Sequence, residues 1–171
     1  QGWLMHRLTG SALWLGLLGF AQFLPVTLLS PWAGAVIDRM DRRRLLAATQ
    51  AAFLVQAVVL AVAVSTGAVR PWMVLALAAL FGVVNAFDMP LRHSFVVEMT
   101  GRDDLGNAIA INSAVFNSAR IVGPAVAGVL LATVGEAGCF WLNALTYVAV
   151  LVTLARMDLP RRAFFRGGPS L

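Results

Sequence analysis

The side chains able to do chemistry in this sequence are few, and most lie inside or beside long apolar runs. Arg120 stands about 15 residues into the run that begins near Leu105, so about 22 Å along a helix at 1.5 Å per residue. A guanidinium at that depth in a membrane is costly, and it is kept where it faces a cavity or a partner. Asn112 and Asn117 share the run, and Asn117, three residues before Arg120, shares its face. That polar stripe reads as a water-lined surface for an anionic substrate group or a proton. A structural ion pair is the competing reading. Asp88 closes the run that starts at Pro71, with Asn85 three residues before it and Pro90 two after. Its place there reads as a boundary acid, with a protonatable group or a partner for Arg120 as the alternatives. His93, beside Arg92, reads as a solvated loop residue, and Glu98, Asp103 and Asp104 read as helix caps. No phosphate-cradling glycine loop, metal-ligand cluster or nucleophile–base pair is present, so the sequence indicates no enzyme and no cofactor.

The elements that must hold these groups follow from composition. Of 171 residues, 60% are hydrophobic and 12% charged, about half the charge usual in a soluble domain. Lipid is the natural solvent for such a chain, and a soluble helical bundle is the weaker alternative. Five apolar runs are evident, at 12–37, 45–66, 71–87, 105–134 and 139–155. About 20 helical residues cross about 30 Å of hydrocarbon. The sequence therefore predicts an all-α polytopic membrane bundle with about five crossings. The runs are continuous, not alternating, which argues against a membrane β-barrel.

Charge orients the bundle. All 13 basic residues are arginines, giving a net charge of +5. Ten lie in three alternate segments: Arg39 and Arg42 to Arg44, then Arg92 and Arg102, then Arg156, Arg161, Arg162 and Arg166. Arg7 and Arg70 fall on the other side, and the turn Gly135-Glu136-Ala137-Gly138 has none. This bias predicts that the arginine-rich side and the chain end are cytoplasmic. The arginines interrupt apolar runs instead of lining one solvated face, which argues against nucleic acid as a partner. Cys139 is the sole cysteine, so no internal disulfide can form. Residues 1–11 read as the end of a preceding helix and a tight outer loop, 12–159 as a partial transmembrane bundle, and 160–171 as the start of a linker.

Small residues recur every four positions in three runs: Ala57, Ala61 and Ser65; Ala78, Gly82 and Ala86; Ala119, Gly123 and Ala127, with Gly128 adjacent. Such stripes let helices approach closely in lipid. Gly34 promises a close approach too, and Asp38 is placed to cap a following helix or pair with an arginine. Gln22, Pro25 and Pro31 suggest a kinked, cavity-facing first run.

Two segments resemble known patterns. Gly34-Ala35-Val36-Ile37-Asp38-Arg39-Met40-Asp41-Arg42-Arg43 resembles the signature loop of the major facilitator superfamily, G-x-x-x-D-R/K-x-G-R-R/K. Gly34, Asp38, Arg39, Arg42 and Arg43 fill the matching positions, and Asp41 stands where the pattern has glycine. The resemblance implies that Asp38 and Arg39 lock the two halves of a twelve-helix transporter on its cytoplasmic side. Ala119-Arg120-Ile121-Val122-Gly123-Pro124-Ala125-Val126-Ala127-Gly128 resembles the G-x-x-x-G-P-x-x-G-G motif of the superfamily's antiporters. Gly123, Pro124 and Gly128 would then form a hinge or a contact in an efflux protein. The sequence around Leu8-Thr9-Gly10-Ser11 and Phe87-Asp88-Met89-Pro90 is similar to the branch containing bacterial siderophore exporters. The resemblance implies helices two to six of a transporter in a bacterial inner membrane. Such a protein exports a small molecule by alternating access, coupled to protons, with a C-terminal half as its partner. Uptake by the same fold, or a non-transporting scaffold, are the alternatives.

Overall fold

Long apolar runs without internal charge form helices in lipid because only a helix satisfies every backbone N–H and C=O within its own segment. The computed structural model describes residues 1–100 and 105–156, and side chains for 1–94 and 106–156. It is all-α across the described residues. In chain order, α1 spans Gly2–Thr9, α2 Ala12–Ile37, α3 Arg42–Ser65, α4 Pro71–Thr100 and α5 Leu105–Arg156. Among the described residues, four helices are long and apolar enough to cross a membrane, and the stretch Gly106–Arg156, at 51 residues, is long enough for two passes. Gly135 breaks α5 with φ 70° and ψ −179°, a backbone state favouring glycine, and divides it into arms 105–134 and 136–156. The expected helix caps at Glu98, Asp103 and Asp104, the loop residue Arg102, and the basic tail with Arg161, Arg162 and Arg166 lie outside the described residues or side chains.

Each turn has a local cause. Gly10 ends α1 in the left-handed region at φ 59° and donates its N–H to the His6 carbonyl, so the chain reverses into α2 within two residues. Asp41 begins α3 from extended backbone. α4 runs through Pro90 to Thr100, thirteen residues beyond the apolar run that ends at Phe87. Asp88 is therefore inside a helix and buried, not at a boundary, which corrects the expectation from its position in the sequence. Helices also continue through Pro25, Pro31 and Pro124.

Packing is closest between α2 and α4 and between α3 and α5. The arm 136–156 runs antiparallel to α3: Trp141 donates its indole N–H to Ser65 Oγ at one end (3.4 Å), while Leu154 meets Arg43 at the other. Two apolar clusters fill the ends. Ala33, Ile37, Leu46, Leu91 and Leu154 pack at the arginine-rich end. Leu4, Met5, Leu18, Leu60, Val74 and Ala78 pack at the opposite end. There Arg7 forms an ion pair with Glu136, whose side chain is only 11% exposed.

The small-residue stripes divide into used and unused. Ala78, Gly82 and Ala86 are buried, and a Cβ on Gly82 would fall inside contact distance of the Gln22 carbonyl oxygen and 3.1 Å from Pro25 Cγ. Ala57 and Ala61 are buried as well. Gly34 makes no such approach: a Cβ there meets nothing within 4 Å among the described residues. The reason is angular, since Ala33 and Ile37 take the inward face of α2 and leave Gly34 outside. Gly123 and Gly128 are equally open on the exposed arm 105–134.

Gly82→Ala should lower stability by about 1–3 kcal/mol through overpacking against α2. Gly16→Ala, in α2 with open space around it, should be neutral or stabilising. Thermal unfolding of the purified protein in detergent checks both.

Candidate functional site

The polar side chains that the bundle draws together converge on Asp88. α3 carries Thr49 and Gln50 about 10 Å along its axis from Arg42, and α4 brings Asp88 against them. Asp88 is 4% exposed. Its Oδ1 accepts from Thr49 Oγ1 and from Gln50 Nε2, each at 2.7 Å. Its Oδ2 accepts from Arg92 Nε at 2.6 Å, one helical turn on. The carboxylate is thus bonded on both oxygens, as a buried charge must be. Arg92 reaches outward, with its side chain 54% exposed. Thr49 Oγ1 also lies 2.9 Å from the Leu46 carbonyl, and Gln50 Oε1 is buried with no hydrogen-bond partner among the described residues. Just beyond, Phe53 stacks on Tyr147 at 5.5 Å and tilts against Phe81 at 5.2 Å. Gln56 Nε2 donates to the Leu77 carbonyl at 2.7 Å, a second polar link from α3 to α4.

The loop 38–41 is built differently from its expected form. Asp41, not Asp38, caps α3: its carboxylate accepts from the Arg44 backbone N–H at 3.0 Å, satisfying one orphan donor of the first turn. Its φ is −64°, so this position needs no glycine. Arg43 Nη2 donates to the carbonyls of Leu154 at 2.8 Å and Ala155 at 3.1 Å, closing the C-terminus of α5 where carbonyls lack helical partners and the dipole is negative. Asp38 and Arg39 are exposed and have no side-chain bond among the described residues, and Arg42 is half-buried.

Comparison with known proteins agrees with this architecture. Residues 1–164 match the family model of the transmembrane secretion effectors. The chain belongs to that family, within the major facilitator superfamily. It is 33% identical over 154 residues to the staphyloferrin A transporter of Staphylococcus aureus, covering 89% of this chain and 39% of that protein. It is 31% identical over 162 residues to the multidrug efflux pump Tap of Mycolicibacterium fortuitum, covering 92% and 40%. Macrolide efflux protein A of Streptococcus pyogenes is 23% identical over 153 residues, covering 90% and 38%. The chain spans about two fifths of the length of these relatives.

In this secretion-effector chain the arm 105–134 is the exposed element. Residues 109–129 are exposed throughout, Arg120 and Asn117 among them. Asn117 Nδ2 donates to the Ser113 carbonyl at 2.9 Å. Arg120 does not pair with Asp88, whose arginine partner is Arg92. Gly128 lines an open cavity of about 570 Å³ with Trp3, Arg7, Leu131 and Glu136 at the end opposite the arginine-rich loops.

Three groups to which the sequence assigns no part in a site prove central to it, and Arg92, expected in a basic loop, lies within α4. Thr49 and Gln50 are adjacent polar residues inside an otherwise apolar run, and that adjacency was their signal. Arg92 stands four residues after Asp88, the spacing of a helical ion pair, but only once the helix is known to continue through Pro90.

Asp41→Ala should cost about 1 kcal/mol by removing the cap, whereas Asp41→Gly should cost only a few tenths. Comparison of the two variants' unfolding midpoints in detergent checks this. Equal losses would remove the capping role.

Proposed function

We propose that the chain is the N-terminal bundle of a secondary exporter of small molecules, working by alternating access about a site near the bilayer midplane. Membership of the secretion-effector family supports transport in place of catalysis, and relatives named for multidrug, macrolide and staphyloferrin handling support outward movement of a drug, a siderophore or a related metabolite. The observation that carries the reading is Arg120, a guanidinium midway along an exposed apolar arm with no partner among the described residues. In a membrane such a group needs water or an anionic partner, and a substrate pathway between this bundle and a second half supplies both.

In this reading the arginine-rich loops face the cytoplasm of a bacterial cell and the membrane is the inner one. Asp38 and Arg39 lock the two halves on that side, and their exposure leaves them available to a partner half. Gly123, Pro124 and Gly128 let the arm bend or receive a neighbour. Coupling is to protons, and Asp88, with Arg120 and Asn117, belongs to the substrate or proton pathway. Its carboxyl is buried and takes bonds from two neutral donors and one exposed arginine.

The test uses cells lacking the complete gene and cells in which it is restored. Restoration should lower intracellular accumulation of exported compounds. Arg120→Leu should insert normally yet fail to lower it, by about tenfold or more in initial rate if one transition-state contact of about 1.4 kcal/mol is lost. Restoration that raises intracellular solute would contradict export. Full activity in Arg120→Leu would remove the pathway role and favour a scaffold.

A further inference from the structure

We propose that the cavity at the elbow of α5 is a second subsite for an exported organic anion, on the release side of Arg120, with the Arg7 guanidinium as its anion-binding group and Trp3 and Leu131 as its apolar wall. The direction of travel rests on the reading of Arg120 as a pathway residue.

Two helices and the elbow build the cavity. Trp3 and Arg7 are four residues apart and share one face of α1. Gly128 and Leu131 come from the arm 105–134, and Glu136 from the elbow that Gly135 makes at φ 70°. The space between them is about 570 Å³, within the range of about 300–1,000 Å³ that holds drug-sized ligands. Gly128 forms a recess in the wall, since a Cβ there would meet nothing within 4 Å among the described residues.

Charge selects the occupant. Arg7 Nη2 pairs with Glu136. The Glu136 side chain is covered, at 11% exposed, whereas that of Arg7 is 54% exposed. The charge that a ligand meets is therefore the guanidinium. A guanidinium has five N–H donors in a fixed fork, and one carboxylate does not occupy them all. Glu136 thus holds the fork in place and leaves donors free, which lowers the ordering cost of binding an anion. The indole of Trp3, 61% exposed, offers a flat apolar surface beside it. The chemistry that fits is a carboxylate on an apolar or aromatic body.

The cavity also lies on the line of the polar stripe. Eleven residues make about three helical turns, so Gly128 repeats the face of Asn117 and Leu131 repeats that of Arg120, about 16 Å further along α5. The helix runs between them through Pro124 without a break. One face of the arm therefore leads from Arg120 to the cavity, at the end opposite the arginine-rich loops. An anion leaving the first guanidinium meets the second on the way out.

The test is binding of dansylglycine, a carboxylate on an aromatic body, to the complete transporter in phosphatidylcholine vesicles, followed by dansyl emission sensitised by tryptophan. It is made in the Arg120→Leu protein, so that the midway guanidinium takes no part. Adding Arg7→Gln should weaken binding about tenfold or more, the loss of one hydrogen bond to a charged group. Adding Gly128→Leu, which fills the recess, should abolish binding. Adding Glu136→Gln should tighten binding about two- to fivefold, because a like charge near the anion is gone. Dansylcadaverine, a cation with the same ring, should bind more weakly than dansylglycine. Unchanged affinity in both Arg7→Gln and Gly128→Leu, a loss in Glu136→Gln as large as in Arg7→Gln, or equal binding of the cation would overturn the proposal and leave the role of Arg120 untouched. Anionic phospholipid that stays with the purified protein but not with Arg7→Gln, seen by mass spectrometry, would assign the cavity to lipid and overturn it as well. Failure of Arg7→Gln to fold leaves Gly128→Leu and Glu136→Gln to decide. Full export by Arg120→Leu in cells would instead remove the direction of travel and leave the binding site standing.

Discussion

A carboxylate inside a membrane bundle must be bonded on every side, and Asp88 meets that demand by tying α4 to α3. Helices already in lipid gain little from burying apolar surface against one another. What holds them in register is close contact and polar bonds. Here Asp88 takes two bonds from α3 at 2.7 Å, and Gln56 adds a third link to the Leu77 carbonyl. On the other flank of α4, Gly82 lets α2 approach until its backbone touches, at the level of Gln22 and Pro25. α4 is the common member of both contacts. The arm 136–156 joins the same block through Arg43 at one end and Trp141 at the other. The arm 105–134 stands outside it and presents Arg120. The structure is thus a block of packed helices with one exposed, largely apolar arm that carries a single guanidinium.

The helices and the membrane character were legible from apolar runs, since length and lack of charge are one-dimensional properties. The stripe Ala78, Gly82 and Ala86 was legible too, because spacing by four survives projection onto a line. What escaped is angular or depends on context. Gly34 carries the same residue type as Gly82 but faces out, and only the packing of Ala33 and Ile37 reveals it. Asp88 reads as a terminal acid because Pro90 and Arg92 follow, and both are common where helices stop. The helix continues because the Arg92 charge is spent on Asp88 and Leu91 is fully buried. The cap belongs to Asp41, three residues from where the sequence pattern directs attention, because α3 starts at Arg42 and the cap must immediately precede it.

Arg43 and Asp41 show how the short loop serves stability before any gating. One closes the end of α5 and the other opens α3, so two helix termini are satisfied within three residues. That leaves Asp38 and Arg39 without a structural duty among the described residues. Residues free of such duty are the ones a moving partner can engage without unfolding either helix.

The bond between α3 and α4 at Asp88 ties the bundle together, and a double-mutant cycle measures it directly. Unfolding free energies in mixed micelles would be compared for the native protein, Asp88→Ala, Gln50→Ala and the double variant. The predicted result is a coupling energy of about 0.5–3 kcal/mol between the two positions, with the double variant losing less than the sum of the singles. Additive losses, within about 0.3–0.5 kcal/mol, would mean that the two side chains do not act together and would contradict the account.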